Sequence, residues 1–155
     1  REEFFHDPAA PIAQLVTPSV FAAVLDGLGR LLLVCRLDNG NWEPPCGQVE
    51  VGDTARSALQ REVAEEAGVT IEAVDVSGVY TDPGYIIRSP DGRVRQPFTV
   101  CFRAALTPSS PPPRPDHAET SDVAWIELAR LDALPVHPAM RRWIDDALSR
   151  NQPDP

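Results

Sequence analysis

The sequence predicts an α/β fold in which a mixed β-sheet lies between helices. Three observations predict it. Aliphatic and β-branched runs are interspersed with helical stretches, glycine- and proline-bearing turns separate neighbouring runs, and one helix falls between two extended stretches as a crossover would.

Taken in order, residues 1–17 read as an irregular N-terminal extension, with Phe4 and Phe5 as packing anchors and Pro8 and Pro11 breaking regularity. A loosely docked arm and a homodimer contact are equal readings of it. Val20 to Leu25 and Arg30 to Leu37 are strand-like runs joined through Asp26-Gly27-Leu28-Gly29, which predicts a hairpin. Asp38 to Gly40 form a loop, and Trp42 to Val51 carry short extended pieces broken by Pro44-Pro45.

A helix follows, capped by Asp53 or Thr54 and ended by Gly68 at its C′ position. Val69 to Tyr80 and Val94 to Leu106 read as strands joined through the turn Ser89-Pro90-Asp91-Gly92. The proline-rich stretch Thr107 to Asp116 is an extended surface loop. Asp122 to Leu128 is a strand bearing Trp125 and Ile126, a short helical turn reaches Leu134, and Pro138 to Leu148 is an amphipathic helix opened by its proline. No internal repeat is visible.

With 155 residues, 43% of them hydrophobic, the chain suits one domain and is short for two. The reading is 1–17 as extension, 18–150 as the domain and 151–155 as a C-terminal tail. No apolar run approaches the roughly 20 residues of a membrane span, and the chain reads as soluble and cytoplasmic, without a membrane partner. Three cysteines without CxxC or Cys/His spacing argue against a disulfide framework or a zinc site, and Cys35 and Cys101 read as buried thiols. A net charge of -9 offers no footprint for a nucleic-acid polymer. A small phosphorylated ligand remains compatible, because a metal ion and a few arginines override the global field locally.

Chemistry concentrates in Gly47 to Val69. At about 100° per residue, Glu62 and Glu66 share a helical face with Ala55, Ala58, Leu59 and Val63, while Glu65 sits nearer its edge. Carboxylates this close repel, and burial strips their hydration, so a divalent cation is the expected partner. Cys46 lies in the turn beside them, where its backbone matters more than its sulfur.

This stretch resembles the signature of the Nudix hydrolases: Gly47, then Arg61, Glu62, Val63, Glu65, Glu66, Gly68 and Val69 stand in its register. Asp53 replaces a usual Glu, and Cys46 replaces the first of two glycines. The resemblance implies a Nudix-type α/β/α sandwich and an enzyme that splits a phosphoanhydride with water, using Mg2+, or Mn2+ as an alternative. It implies metal ligation by Glu62, Glu65, Glu66, the Cys46 carbonyl and Glu119, and catalytic roles for Glu62, Glu65, Arg61 and Glu119. Arg61 would brace Asp53. Glu119 is placed six positions before Trp125, with plain solvation an equal reading.

For substrate contact, Arg36 resembles a position that touches phosphate in similar proteins; Trp42 and Tyr85 offer rings, with ordinary packing the favoured role of each taken singly; and Arg95 is one of four arginines flanking the second turn, which either touch phosphate or keep a strand soluble. A nucleoside diphosphate linked to another moiety, such as ADP-ribose or a nucleotide sugar, is the leading substrate class. A nucleoside triphosphate pyrophosphohydrolase and a non-catalytic nucleotide-sensing module are the alternatives.

Overall fold

The computed structural model describes residues 1–149, so the expected tail at 151–155 lies outside the described residues. In chain order the elements are β1 (Glu2–Phe5), β2 (Leu15–Val24), β3 (Leu31–Arg36), β4 (Trp42–Glu43), β5 (Cys46–Gln48), α1 (Ala55–Ala67), β6 (Ile71–Thr81), β7 (Tyr85–Arg88), β8 (Val94–Leu106), β9 (Thr120–Ile126), a 3₁₀ helix (Leu128–Ala133) and α2 (Pro138–Ser149). Six strands form one sheet in the order β1-β7-β8-β2-β5, with β6 also pairing β8, and three form a second in the order β4-β3-β9. The β2–β8 pairing is parallel and the others are antiparallel. The expected α/β fold with a mixed sheet between helices is present.

Period-2 alternation assigns each strand residue to one of two cores. Val20, Ala22 and Val24 of β2, with Leu32 and Val34 of β3, pack with Ala58, Leu59, Val63 and Ala67 of α1. Phe21 and Ala23, with Leu31 and Leu33, pack instead with Met140, Trp143, Ile144 and Ala147 of α2. Both strands are therefore apolar on both faces, and each fully buried Val, Leu, Ile or Phe contributes about 1.5–3 kcal/mol.

That two-sided burial corrects the predicted first hairpin. The turn forms, with Asp26 Oδ1 accepting from the backbone N–H of Leu28 (2.9 Å) and Arg30 (2.8 Å). After a single Leu25–Leu31 bridge, however, β2 and β3 separate into different sheets. The second turn joins β8 not to β6 but to the additional strand β7, while β6 pairs with β8 along its C-terminal part. The N-terminal segment is not irregular throughout: β1 pairs antiparallel with β7, Glu2 opposite Arg88 and Phe5 opposite Tyr85. Cys101 is buried as expected, whereas Cys35 is only half-buried.

The predicted boundaries of α1 hold. Thr54 caps it through a reciprocal pair, its hydroxyl accepting from Ser57 N–H (3.0 Å) while Ser57 Oγ accepts from Thr54 N–H (2.8 Å). Gly68 ends it in the left-handed region at φ 69°, where glycine carries no Cβ penalty.

At the start of α2, His137 Nδ1 accepts from Ala139 N–H (3.2 Å), a role that requires a neutral ring. Tyr85 stacks on the imidazole and Phe5 meets it edge-on. Burial holds its pKa below the ordinary histidine value, with Glu3 opposing and Arg1 reinforcing the shift. A base whose folded pKa is depressed contributes stability that is complete above the unfolded value of about 6.5 and lost as the pH falls through the folded value. Urea unfolding at pH 7 and pH 5 is expected to show a smaller acid loss in His137→Asn than in the parent, because asparagine keeps the cap and removes the titration.

Candidate active site

A cleft of about 640 Å³ opens beside α1 and β5. Its acidic corner is built where α1 passes over the backbone of β5. Glu66, facing the same core as Val63 and Ala67, is 3% exposed, and its Oε2 accepts from Cys46 N–H at 3.1 Å. Among the described residues no arginine or histidine pairs with it. Burial pushes its pKa well above the usual carboxylate value, and Glu43, Glu62 and Glu119 add to the rise. Glu62 is also pushed up, chiefly by burial, with Arg61 opposing.

Gly47 admits Glu62. A Cβ at this position would overlap the Glu62 carboxyl group. The requirement is one of space, since neither Cys46 nor Gly47 has a positive φ. Cysteine therefore sits at position 46 without backbone strain.

Arg61 ties the corner together. Its Nη1 donates to Glu62 Oε1 (2.8 Å), and its Nη2 donates to Asp53 Oδ2 (2.8 Å) and to the Gln48 carbonyl (3.0 Å). Asp53, shorter than glutamate, still reaches it. One guanidinium thus joins the helix, the strand and the loop between them.

Glu119 stands exposed at the cleft mouth on an ordered loop. Asp116 Oδ1 accepts from the backbone N–H of Ala118, Glu119 and Thr120, each at 2.9 Å. Leu37 N–H donates to the Glu119 carbonyl (2.9 Å), and Thr120 Oγ1 donates to the Glu66 carbonyl (3.1 Å), so this loop is fastened to both β3 and α1.

Glu62, Glu66, Arg61, Cys46 and Glu119 thus line one cleft, as does Glu65. Glu65, however, turns outward, its side chain 60% exposed and 3.7 Å from Arg61 Nη1. Among the described residues no three His, Cys, Asp or Glu side chains are gathered into a metal-sized group. The donors nevertheless suit magnesium, which takes hard oxygens, keeps several waters and binds through one or two carboxylates plus substrate phosphates. Glu66, buried without a counter-cation, is the observation that favours such a partner.

The residues considered for substrate contact divide. Arg36 is engaged: it donates to both Asp38 oxygens (2.9 and 2.6 Å) and to Glu43 Oε1 (3.2 Å), which occupies its phosphate-binding fork. Trp42 packs against the α2-side core and is not among the residues lining the cleft. Tyr85 lines the cleft but is buried, its hydroxyl donating to Glu3 Oε1 (3.0 Å). Arg95 lines the cleft and donates to Ser89 Oγ.

Two charged groups here escaped sequence reasoning. Glu43 is 2% exposed, Arg36 and Arg1 each donate to one of its oxygens, and its charge acts on Glu66 from behind the cleft lining. Arg1, at the head of β1, also pairs with Glu3 at 2.8 Å. A glutamate between Trp42 and Pro44 in an otherwise extended run was the available signal for the first; nothing local marked the second.

Comparison with known proteins bears on what this corner does. Residues 15–147 match the NUDIX domain. A putative 8-oxo-dGTP diphosphatase of Bacillus subtilis is 30% identical over 132 residues, 85% of this chain and 80% of that protein. A MutT-like protein of Streptomyces ambofaciens is 44% identical over 62 residues, 40% of each chain. Among solved structures, the MutT protein of Methanosarcina mazei superposes with a TM-score of 0.70 at 20% identity, covering 92% of this chain and all of that one. The NUDIX domain of Shewanella oneidensis NrtR, solved with ADP ribose, gives 0.66 at 24% identity and covers 94% of both chains. At these identities the structural likenesses show the fold.

Gly47→Ala is expected to fold with a melting temperature close to the parent's while driving Glu62 from its place. Calorimetric titration with Mn2+ should show affinity weakened about 10- to 100-fold, the range for lost support around a metal ligand. Unaltered affinity would mean that Glu62 is not a ligand.

Proposed function

The chain belongs to the NUDIX family of hydrolases that act on phosphoanhydride bonds, and from that premise we propose that it is a Mg2+-dependent pyrophosphohydrolase of a small nucleotide, with Glu62 and Glu66 as the protein ligands of the ion. The observation that carries the reading is Glu66, a carboxylate buried in a cleft wall with one backbone donor and, among the described residues, no counter-cation. The Cys46 carbonyl belongs to the proposed ligand set through family resemblance. Bound there, magnesium would neutralise charge on the diphosphate and lower the pKa of a coordinated water.

The protein's own groups do the rest. Arg61 holds the Glu62 carboxylate and the 48–53 loop in one geometry, so little reorganisation accompanies reaction. Glu119, on its fastened loop, is the proposed base, with Glu65 at the rim as a second exposed carboxylate of the proposed site. The water oxygen bonds to phosphorus as its proton passes to Glu119. The anhydride P–O bond breaks, and the leaving phosphate departs with the electron pair.

Two substrate classes have support. The Bacillus subtilis relative, matched over most of both chains, is named for 8-oxo-dGTP and favours a nucleoside triphosphate. The ADP-ribose reading draws on a relative from Methanocaldococcus jannaschii named ADP-ribose pyrophosphatase, 35% identical over 80 residues, 46% of that protein's length. The first is preferred because its alignment is broader. A homodimer and a cytoplasmic setting remain expectations of the sequence; among the described residues no helix is long and apolar enough to cross a membrane.

A panel of nucleoside triphosphates, ADP-ribose and nucleotide sugars, hydrolysed with Mg2+ in ¹⁸O-labelled water, is expected to show turnover and to identify the phosphorus attacked. Glu66→Gln should lose about 10²- to 10³-fold in kcat, the scale for removing one pre-organised electrostatic group. It should also lose the rise in melting temperature that Mg2+ gives the parent by mass action. Nucleotide binding without metal-dependent cleavage would instead support the sensing module.

A further inference from the structure

The face of the large sheet that α2 covers does not end where α2 ends. On β2 its inward residues run from Ala23 and Phe21 beneath the helix to Ser19 and Thr17 beyond it; on β8 they run from Cys101 to Thr99, Pro97 and Arg95. The uncovered half is the cleft floor and is markedly more polar, with the Ser19 and Thr99 hydroxyls hydrogen-bonded to each other at 2.6 Å.

Arg95 stands at the far end of this floor. The other cleft arginines are already paired: Arg1 with Glu3 and Glu43, Arg36 with Asp38 and Glu43, Arg61 with Asp53 and Glu62, and Arg93 with Asp91. Among the described residues no carboxylate pairs with Arg95, whose side chain is held by the neutral Ser89 Oγ at the β7–β8 turn. Burial, then the like charge of Arg1, lowers its pKa below the ordinary arginine value. A part-buried cation left without an anion is unfavourable until a ligand supplies one.

Its position distinguishes that anion from the scissile group. Arg95 lies opposite Leu15 of β2, whereas Gly47 lies opposite Val20. At about 3.3 Å per residue the five-residue offset sets their backbones roughly 16 Å apart along β2, so Arg95 stands at the opposite end of the cleft floor from the acidic corner.

Building on the nucleotide-hydrolase reading, we infer that Arg95, held by Ser89, is a specificity-determining residue that receives a second phosphate monoester, remote from the scissile diphosphate, on the nucleotide bound in this cleft. A planar guanidinium matches phosphate through two parallel N–H donors, and a hydrogen bond to a charged group is worth about 1.5–3 kcal/mol, or roughly 10- to 100-fold in affinity.

The test compares AMP with adenosine 2′,5′- and 3′,5′-bisphosphates, titrated calorimetrically in EDTA so that the acidic corner holds no metal. The parent should bind one bisphosphate at least about tenfold tighter than AMP. Arg95→Gln should reduce that ratio to near one at an unchanged melting temperature, and Arg95→Lys should restore part of it. Equal binding of all three by the parent, or a preference that persists in Arg95→Gln, overturns the inference and makes Arg95 a solvated side chain. Failure of the hydrolase reading appears separately, as absence of Mg2+-dependent turnover in a protein that still prefers a bisphosphate.

Discussion

The close approach of α1 to the backbone of β5 is the constraint on which the active-site corner depends. Glu66 shares a helical face with Val63 and Ala67, and Glu62 borders it, so burying the apolar stripe also carries acids out of water. The cost of that desolvation is only partly offset, by Cys46 N–H for Glu66 and by Arg61 for Glu62. The glycine at 47 permits the approach and the guanidinium of Arg61 fixes its depth. Packing and chemistry are thus one problem here: the hydrophobic contacts that hold the helix also hold charged groups where bulk water would not keep them.

A chain with a net charge of -9 offers phosphate few free cations, and the cleft shows how its arginines are deployed. Most lining arginines serve as cross-braces between carboxylates from different elements. Glu43 illustrates the result, receiving Arg36 on one oxygen and Arg1 on the other and so linking β3, β4 and the head of β1. Such pairing orients side chains, and it also removes them from direct electrostatic attraction of substrate. In the proposed reaction, neutralising the diphosphate would then fall to a metal at the acidic corner.

How much of this was legible in the sequence follows from the range of the forces involved. The α1 boundaries, its acidic inward face and the Arg61–Asp53 pair are local: they depend on 3.6-residue periodicity, capping chemistry and a short loop, and all are present. The division of β2 and β3 between two sheets was not readable. An apolar run buried on both faces shows no alternation, and the choice of partner is made by β8 and β9, dozens of residues later. The same range explains Arg36. Its type suggested phosphate, but Asp38, two residues on, and buried Glu43 occupy its donors. Trp42 takes the packing role that stood beside its stacking role, since an aromatic ring beside a motif serves the core as readily as a ligand. Glu65 belongs to the motif by spacing, yet at the stripe's edge its geometry turns it to solvent.

The short strand β1 changes the meaning of the chain's first residues. By pairing with β7 it takes over the outer edge of the large sheet, and at four residues it leaves only a short ladder of backbone donors and acceptors there, the feature through which sheets of separate molecules join. Just ahead of it, Arg1 brings a positive charge to Glu3 and to the buried Glu43. The outer edge of the sheet and the charge balance around Glu43 therefore both rest on the first five residues, and removing them would expose β7 and unpair Glu43 from Arg1 at once.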